Sequence, residues 1–173
     1  MNFGFLLRGL PGHPLHPPLT DATIGTYTFA VVAGLLDVLE VTDSAAARAW
    51  WVALLVGIIF SLPTAATGLA DWVRIESRTP LWRTATTHMV VMLLATGVFL
   101  ATIIVGKTSY DDGDITTGAY VLTLVAYGLL AFGGWAGGAI VFVHGMRVLN
   151  LVEEPAGRAM APTGEEKAEA ERS

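Results

Sequence analysis

The stretch WWVALLVGIIFSLPTAATGLA, residues 50–70, decides the fold class of this chain. No charged side chain interrupts it, and about 20 mostly apolar residues in α-helix cross a hydrocarbon core about 30 Å thick. Its apolar residues surround the helix on all sides, whereas a surface helix of a soluble protein carries a polar stripe. The stretch is therefore predicted to be a transmembrane helix.

Three further stretches of the same character predict additional spans, at about residues 22–39, 85–106 and 118–143. The polar segments between them are short, so consecutive helices are expected to be antiparallel neighbours. A small soluble bundle cannot bury four helices that are apolar all round. The sequence thus predicts an all-α fold, a four-helix transmembrane bundle, with the lipid bilayer as its surroundings.

The composition supports a single membrane domain and excludes several kinds of function. The chain has 173 residues, of which 53% are hydrophobic and 14% are charged, whereas soluble domains average about 25% charged residues. The net charge of −5 provides no basic surface, so no nucleic-acid partner is expected. Because the sequence contains no cysteine, it provides no disulfide, thiolate metal site, iron–sulfur cluster or covalently attached haem.

The chain divides into three parts by composition. Residues 1–20 form a proline-rich N-terminal segment that contains His13 and His16, and residues 21–150 form the transmembrane domain. Residues 151–173 form an acidic tail that is rich in Ala, Glu, Gly and Pro and has no apolar face. Such a segment cannot bury enough apolar surface to fold, so the tail is expected to be disordered in the cytoplasm.

The distribution of Lys and Arg predicts the orientation of the bundle, because cytoplasmic loops carry an excess of these residues. The side opposite the N-terminus carries only Arg48 and Lys107. Both termini are therefore expected in the cytoplasm, in a multi-pass protein of the plasma membrane. The basic residues on the side of the N-terminus are Arg8, Arg74, Arg78, Arg83 and Arg147.

The segment Gly12-His13-Pro14-Leu15-His16-Pro17-Pro18 places two imidazoles three residues apart, just before the first predicted span. Its prolines stiffen the backbone and oppose helix at His13 and His16, while Pro17 and Pro18 suit the first turn of a following helix. One interpretation is a rigid platform that presents histidines to a ligand. The other is a proline-rich loop whose histidines lie among lipid headgroups.

The predicted topology brings all four histidines to one membrane face. His88 lies about one turn inside the third span, and His144 lies near the end of the fourth. Both positions are on the same side as His13 and His16. Ionisable groups within a membrane are costly and usually functional, and imidazole is the commonest metal ligand. The ordinary alternative is that each histidine lies near interfacial water, where it readily finds a hydrogen bond.

This placement predicts a cofactor site. Haem b would be held by His88 and His144 as its axial pair, because both residues are on helices. His13 and His16 would then form a second ligand pair, a lid or partners of the haem propionates. The alternative is a transition metal held by the four histidines and Asp71, which ends the second span on the same side.

Two aspartates near span ends have open roles. Asp71 is expected to pair with Arg74 or to orient an imidazole, or else simply to end its helix among the headgroups. Asp37 and Glu40 lie on the opposite side. They belong either to an ion path that also uses the histidine cluster or to the polar end of the first span.

A glycine motif, Gly133-Gly134-Trp135-Ala136-Gly137-Gly138, forms a smooth groove in the fourth span. Small residues four apart are typical of close helix packing in membranes. Either another helix, including one from a second copy of the chain, or a flat macrocycle can lie against such a groove. His144 lies six or seven residues further along, near the face that contains Gly137.

Three of these motifs together resemble a known family. Gly12-His13-Pro14-Leu15-His16-Pro17, then Thr67-Gly68-Leu69-Ala70-Asp71-Trp72, then a histidine early in the third span, are similar to the bacterial membrane family catalogued as domain of unknown function 2231. The resemblance covers roughly residues 10–150 and implies a compact four-helix membrane domain. Members look somewhat like small b-type cytochrome bundles, and some are joined to redox modules. The resemblance therefore implies a redox or haem-linked role, by analogy.

Three functions are compatible with the sequence. The first is cofactor binding for electron transfer with a membrane redox partner. The second is a non-catalytic interaction or accessory subunit, including a homo-oligomer that packs through the glycine groove. The third is a small proton or ion pathway that uses Asp37, Asp71 and the histidines. No recognisable nucleophile motif or glycine-rich phosphate loop is present, so the sequence favours a protein that is not an enzyme in its own right.

Overall fold

A computed structural model of the chain describes residues 7–10, 12–149 and 152–161. Four of its helices are long and apolar enough to cross a membrane. The predicted all-α bundle of four spans is therefore confirmed. The long helices are α1 His16–Val38, α2 Ala45–Trp72, α3 Pro80–Val105 and α5 Thr117–Phe142; the short ones are α4 Lys107–Asp112, before α5, and α6 Ala156–Ala159, after it.

The proline-rich segment folds into a small β-hairpin. Strand β1, Gly9–Leu10, pairs antiparallel with β2, His13–Pro14. The N–H of Leu15 donates to the carbonyl oxygen of Arg8 at 3.3 Å, which continues the pairing towards α1. Gly9 has a φ of +74°, and a Cβ at this position would collide with the backbone of β2. The segment is thus an ordered hairpin that leads directly into α1.

Helix α1 begins at His16 rather than near residue 22, so the expectation that the prolines oppose helix at His16 is wrong. The reason is the position of Pro17 and Pro18 in the first helical turn. Backbone N–H groups have no intrahelical partner in that turn, so a proline loses nothing there and its fixed φ favours the helix. His16 is thereby fixed to a rigid helix rather than to a loop.

The acidic tail is described only in part. Residues 152–161 include the single helical turn of α6, which is exposed. Residue 151 and residues 162–173, where most of the acidic side chains lie, are outside the described part of the chain. The expected disorder of the tail stays a prediction.

The bundle consists of two helical hairpins. α1 packs most extensively against α2, and α3 packs most extensively against α5, whereas α2 with α3 and α1 with α5 make smaller interfaces. Threonine side chains begin both helices of the second hairpin. Thr79 Oγ1 accepts from the N–H of Trp82 at 3.1 Å, and Thr116 Oγ1 accepts from the N–H of Ala119 at 3.3 Å.

Aromatic side chains fill the core in the half of the bundle where α1 ends and α2 begins. Tyr27 and Phe99 stack with ring centroids 3.6 Å apart, and both are fully buried. Trp50 is also fully buried and donates its indole N–H to Thr123 Oγ1 at 3.0 Å. A buried indole N–H without an acceptor would be costly in lipid, so this bond fixes the ring.

Polar side chains replace the aromatic core at the other end of the bundle. Thr23, Thr64, Thr67 and Asp71 are buried there, and the hydroxyl oxygens of Thr23 and Thr64 lie 3.1 Å apart across the α1–α2 interface. Buried polar groups are costly unless they find partners, so a cluster of them marks this end as the place to search for a site.

Replacing Trp50 by Phe removes the buried donor and leaves unfilled volume. The free energy of unfolding in detergent is expected to fall by roughly 1–3 kcal/mol. The same substitution at Trp135, which is 76% exposed, is expected to change it by less than about 0.5 kcal/mol. Denaturant titration followed by circular dichroism measures both, and equal losses in the two variants would contradict this account of the core.

Candidate functional site

His16, the first residue of α1, is held against α2 by its ring. Its Nδ1 atom lies 3.0 Å from the carbonyl oxygen of Thr64 and 3.1 Å from Thr67 Oγ1. A carbonyl oxygen only accepts hydrogen bonds, so Nδ1 carries the proton and donates it. The hydroxyl of Thr67 donates to backbone carbonyls of its own helix, which leaves its oxygen free to accept. In the neutral ring, Nε2 therefore carries the lone pair.

His88, in the third turn of α3, is held against α5 in the same way. Its Nδ1 atom lies 2.7 Å from the carbonyl oxygen of Gly133. The same reasoning places the proton on Nδ1 and the lone pair on Nε2. Each helical hairpin thus carries one histidine on its first helix. The Nδ1–H group of this histidine donates a hydrogen bond to a backbone carbonyl of the second helix.

A glycine follows each accepting carbonyl by four residues. Thr64 is followed by Gly68, and Gly133 is followed by Gly137. In an α-helix, the residue four positions on lies directly above the carbonyl that it bonds, so its side chain borders the approach to that carbonyl. A Cβ on Gly68 would lie 2.8 Å from Cε1 of His16. A Cβ on Gly137 would lie 3.1 Å from Cε1 of His88. Glycine is what allows each imidazole to reach its carbonyl.

The two hairpins bring His16 and His88 together at the polar end of the bundle. Their ring centroids are 6.4 Å apart and their planes are nearly perpendicular, at 87°. Within the described part of the chain, neither Nε2 atom makes a hydrogen bond. The arrangement can therefore supply two oriented nitrogen lone pairs from two different helices.

His144 and His13 lie elsewhere. His144, just after α5, places Nε2 3.0 Å from Thr84 Oγ1, one turn before His88 on α3. His13 is exposed on strand β2. The predicted convergence of four histidines is thus reduced in the structure to one close pair, with His144 bound to a threonine nearby.

Asp71 contacts two arginines rather than Arg74 or a histidine. Its Oδ1 atom accepts from Arg8 Nε and from Arg147 Nη1, each at 2.8 Å. The carboxylate is 10% exposed and ends α2 on the same side as the histidine pair. Among the described residues, no three His, Cys, Asp or Glu side chains are grouped so that they could hold a metal ion, so the structure does not assemble the predicted four-histidine and Asp71 set.

The remaining sequence motifs have structural partners. Gly133 is buried against Met92 of α3, and Gly137 lies beneath His88, so these two glycines pack inside the bundle. At the opposite end, Asp37 Oδ2 accepts from the N–H of Ile115 at 2.8 Å. Asp37 therefore ties the end of α1 to the segment before α5. A groove for a second copy at Gly134 and Gly138, the other glycines of the motif, and an ion path through Asp37 stay predictions.

The sequence alone did not single out the acceptors of the site. The acceptors are the backbone carbonyl oxygens of Thr64 and Gly133 and the hydroxyl of Thr67. Every residue has a backbone carbonyl, so the residue types in the sequence do not reveal which one accepts. The usable signal was the four-residue spacing from Thr64 to Gly68, repeated from Gly133 to Gly137.

Comparison with known proteins assigns the chain to a family. The model of domain of unknown function 2231, described as a predicted membrane protein, matches residues 12–150. The chain belongs to this family. No curated protein and no solved structure matches it. The matched residues include the four long helices of this DUF2231 protein, both members of the histidine pair and Asp71, whereas Arg8 precedes them.

The protonation of the pair in this DUF2231 protein is open to direct measurement. In detergent at pH 8.5, nitrogen NMR of protein labelled with [15N]histidine is expected to show His16 and His88 with the proton on Nδ1 and a pyridine-type Nε2, because both Nδ1 atoms face carbonyl oxygens.

The exposed His13 serves as the internal control and is expected to show the tautomer mixture of a free imidazole. Single His→Gln variants assign the signals. A protonated Nε2 on either member of the pair in the neutral protein would contradict the geometry described.

Proposed function

We propose that this DUF2231 protein binds haem b through His16 and His88 and serves in electron transfer in the membrane. The observation that carries the proposal is the pair itself: two imidazoles from different helices, each with Nδ1 engaged and with no hydrogen-bond partner for Nε2 among the described residues. A histidine that donates Nδ1–H to a backbone carbonyl is typical of a metal ligand, because this bond fixes the tautomer and the ring and raises the basicity of Nε2.

The distance between the rings suits a single metal centre. Two imidazole nitrogens that bind opposite sides of one metal at about 2.0 Å each would leave the ring centroids roughly 6 Å apart, which is close to the 6.4 Å between the rings of His16 and His88. The donor set is limited to two, since no group of three metal-binding side chains exists among the described residues. Two imidazole donors would suit haem, which His16 and His88 would hold through their Nε2 atoms. A transition metal that accepts two imidazoles is the alternative ligand of the same pair.

The residues around the pair would hold and protect such a group. The carbonyls of Thr64 and Gly133 orient the two rings, and Gly68 and Gly137 support their edges. Haem supplies one-electron redox chemistry, tuned by its axial ligands and by the exclusion of water. The apolar helices would supply the low-polarity surroundings.

The location of the site suggests where electrons would be exchanged. The excess of arginine on the side of the N-terminus supports cytoplasmic termini in a plasma-membrane protein. His16 and His88 lie at that end of the bundle, so a membrane redox partner would meet the protein near the cytoplasmic face.

The absorption spectrum of the purified protein tests the ligand pair. Protein produced with added haem is expected to show a Soret band that shifts on reduction with dithionite. His16→Ala and His88→Ala are each expected to lose most of the band or shift it, because each removes one axial ligand, whereas His13→Ala and His144→Ala are expected to retain it.

Metal analysis of the same samples separates the alternatives. A spectrum without a Soret band, together with one equivalent of copper, iron or zinc that is lost in His16→Ala and His88→Ala, would show that the pair binds a metal ion instead of haem. Loss of the band in His144→Ala with full retention in His16→Ala would favour the axial pair His88 and His144. A colourless, metal-free protein would contradict cofactor binding.

Single cysteines test the proposed orientation, because the chain contains no cysteine of its own. Asp114→Cys, beyond α4, is expected to react with a membrane-impermeant maleimide in intact cells. Glu76→Cys, between α2 and α3, is expected to react only after permeabilisation. Both positions are exposed, so the two variants form a matched pair, and the reverse pattern would place the termini outside.

A further inference from the structure

We propose that Arg8, Asp71 and Arg147 form a binding site for a phosphate group, supplied by the headgroup of an anionic phospholipid or by free phosphate. The three residues come from the segment before β1, the end of α2 and the segment after α5. The proposal does not depend on haem binding.

The geometry leaves the cluster with an excess of positive charge. Both guanidinium groups contact the same oxygen, Asp71 Oδ1, at 2.8 Å. Two like charges are therefore held close together around one carboxylate, although all three side chains are largely removed from water, with exposures of 27% for Arg8, 19% for Arg147 and 10% for Asp71. A second anion would offset the remaining charge, since uncompensated charge away from water is costly.

The arginines also have donors to spare. Each guanidinium carries five N–H groups, and each uses one of them on Asp71. Within the described residues, neither arginine side chain makes another hydrogen bond. The planar fork of arginine matches the oxygens of a phosphate in pairs, which makes this arrangement suitable for an oxyanion.

The backbone at Arg147 supports a specific role for this side chain. Arg147 has a φ of +59°, in the left-handed region, two residues after Gly145 at +65°. This conformation is unfavourable for a residue with a Cβ, and such strain is retained where the surrounding structure requires it. The turn directs the chain after α5 back towards the end of α2, where the guanidinium reaches Asp71.

The depth of the cluster favours a lipid as the source of the phosphate. Trp72 follows Asp71 directly and donates its indole N–H to Thr86 Oγ1 at 2.9 Å. Its ring lies 6.1 Å from that of Trp82. Tryptophans at the ends of spans are typical of the headgroup layer, and the position of Asp71 beside Trp72 therefore favours a lipid headgroup as the occupant.

Native mass spectrometry of the detergent-purified full chain tests the site. Wild-type protein is expected to bind phosphatidylglycerol about tenfold more tightly than phosphatidylcholine, because the choline cation of the latter offsets the charge of its phosphate beside the two arginines. Arg147→Gln is expected to remove most of this preference, and Arg147→Lys, which keeps the charge but loses the fork, to remove part of it. Arg74→Gln, at an exposed arginine on the same side, is the matched control and is expected to bind as the wild type does.

Two additions keep the test decisive. Arg8→Gln serves as the second variant if Arg147→Gln fails to give a monodisperse protein. Competition with inorganic phosphate distinguishes a lipid headgroup from free phosphate. If inorganic phosphate displaces the lipid, the site accepts phosphate from both sources. If the lipid stays bound, the site requires the lipid. Equal affinity for the two lipids in the wild type, or unchanged preference in both arginine variants, would overturn the proposal.

Discussion

Two hydrogen bonds between histidine side chains and backbone carbonyls organise the polar end of this bundle. His16 donates to Thr64 and His88 donates to Gly133. A polar group without a partner costs several kcal/mol in a bilayer, so each bond fixes the rotation of one helix against its neighbour as well as the orientation of one ring. Glycine four residues beyond each carbonyl leaves room for the ring, since a Cβ would lie only 2.8 Å from His16 at Gly68 and 3.1 Å from His88 at Gly137.

The same construction occurs once in each hairpin, and this repetition produces the pair. Either histidine alone would be an ordinary interhelical hydrogen bond, the commonest use of such a residue between membrane helices. Packing the hairpins together places the rings 6.4 Å apart, and neither Nε2 atom has a hydrogen-bond partner in the part of the chain that the structure describes. The aromatic core around Trp50 and Phe99, at the opposite end, holds the hairpins together without contributing to the site. Structural packing and the candidate site therefore occupy different halves of the molecule.

The sequence predicted the number and character of the spans because hydrophobic length is a local property. It also identified His16 and His88 and predicted that they lie at the same end of the bundle. The sequence could not show which histidine lies beside His88, since the rotation of each helix depends on packing. It favoured His144 as the second ligand, whereas the structure places His16 beside His88. It correctly predicted that Pro17 and Pro18 suit the first turn of a helix, but it expected the prolines to oppose helix at His16, which is the first residue of α1. Asp71 was recognised, but its arginine partners lie 63 and 76 residues away in the sequence.

The central claim is that His16 and His88 act as two ligands of one centre, and the spin state of the iron tests it most directly. Electron paramagnetic resonance of the oxidised, haem-loaded protein is expected to show low-spin ferric haem, because two imidazoles provide a strong axial field. Removing either member of the pair is expected to convert the signal to high spin, while His144→Ala leaves it low spin. A low-spin signal that survives His16→Ala, or a high-spin signal in the wild type, would contradict the claim.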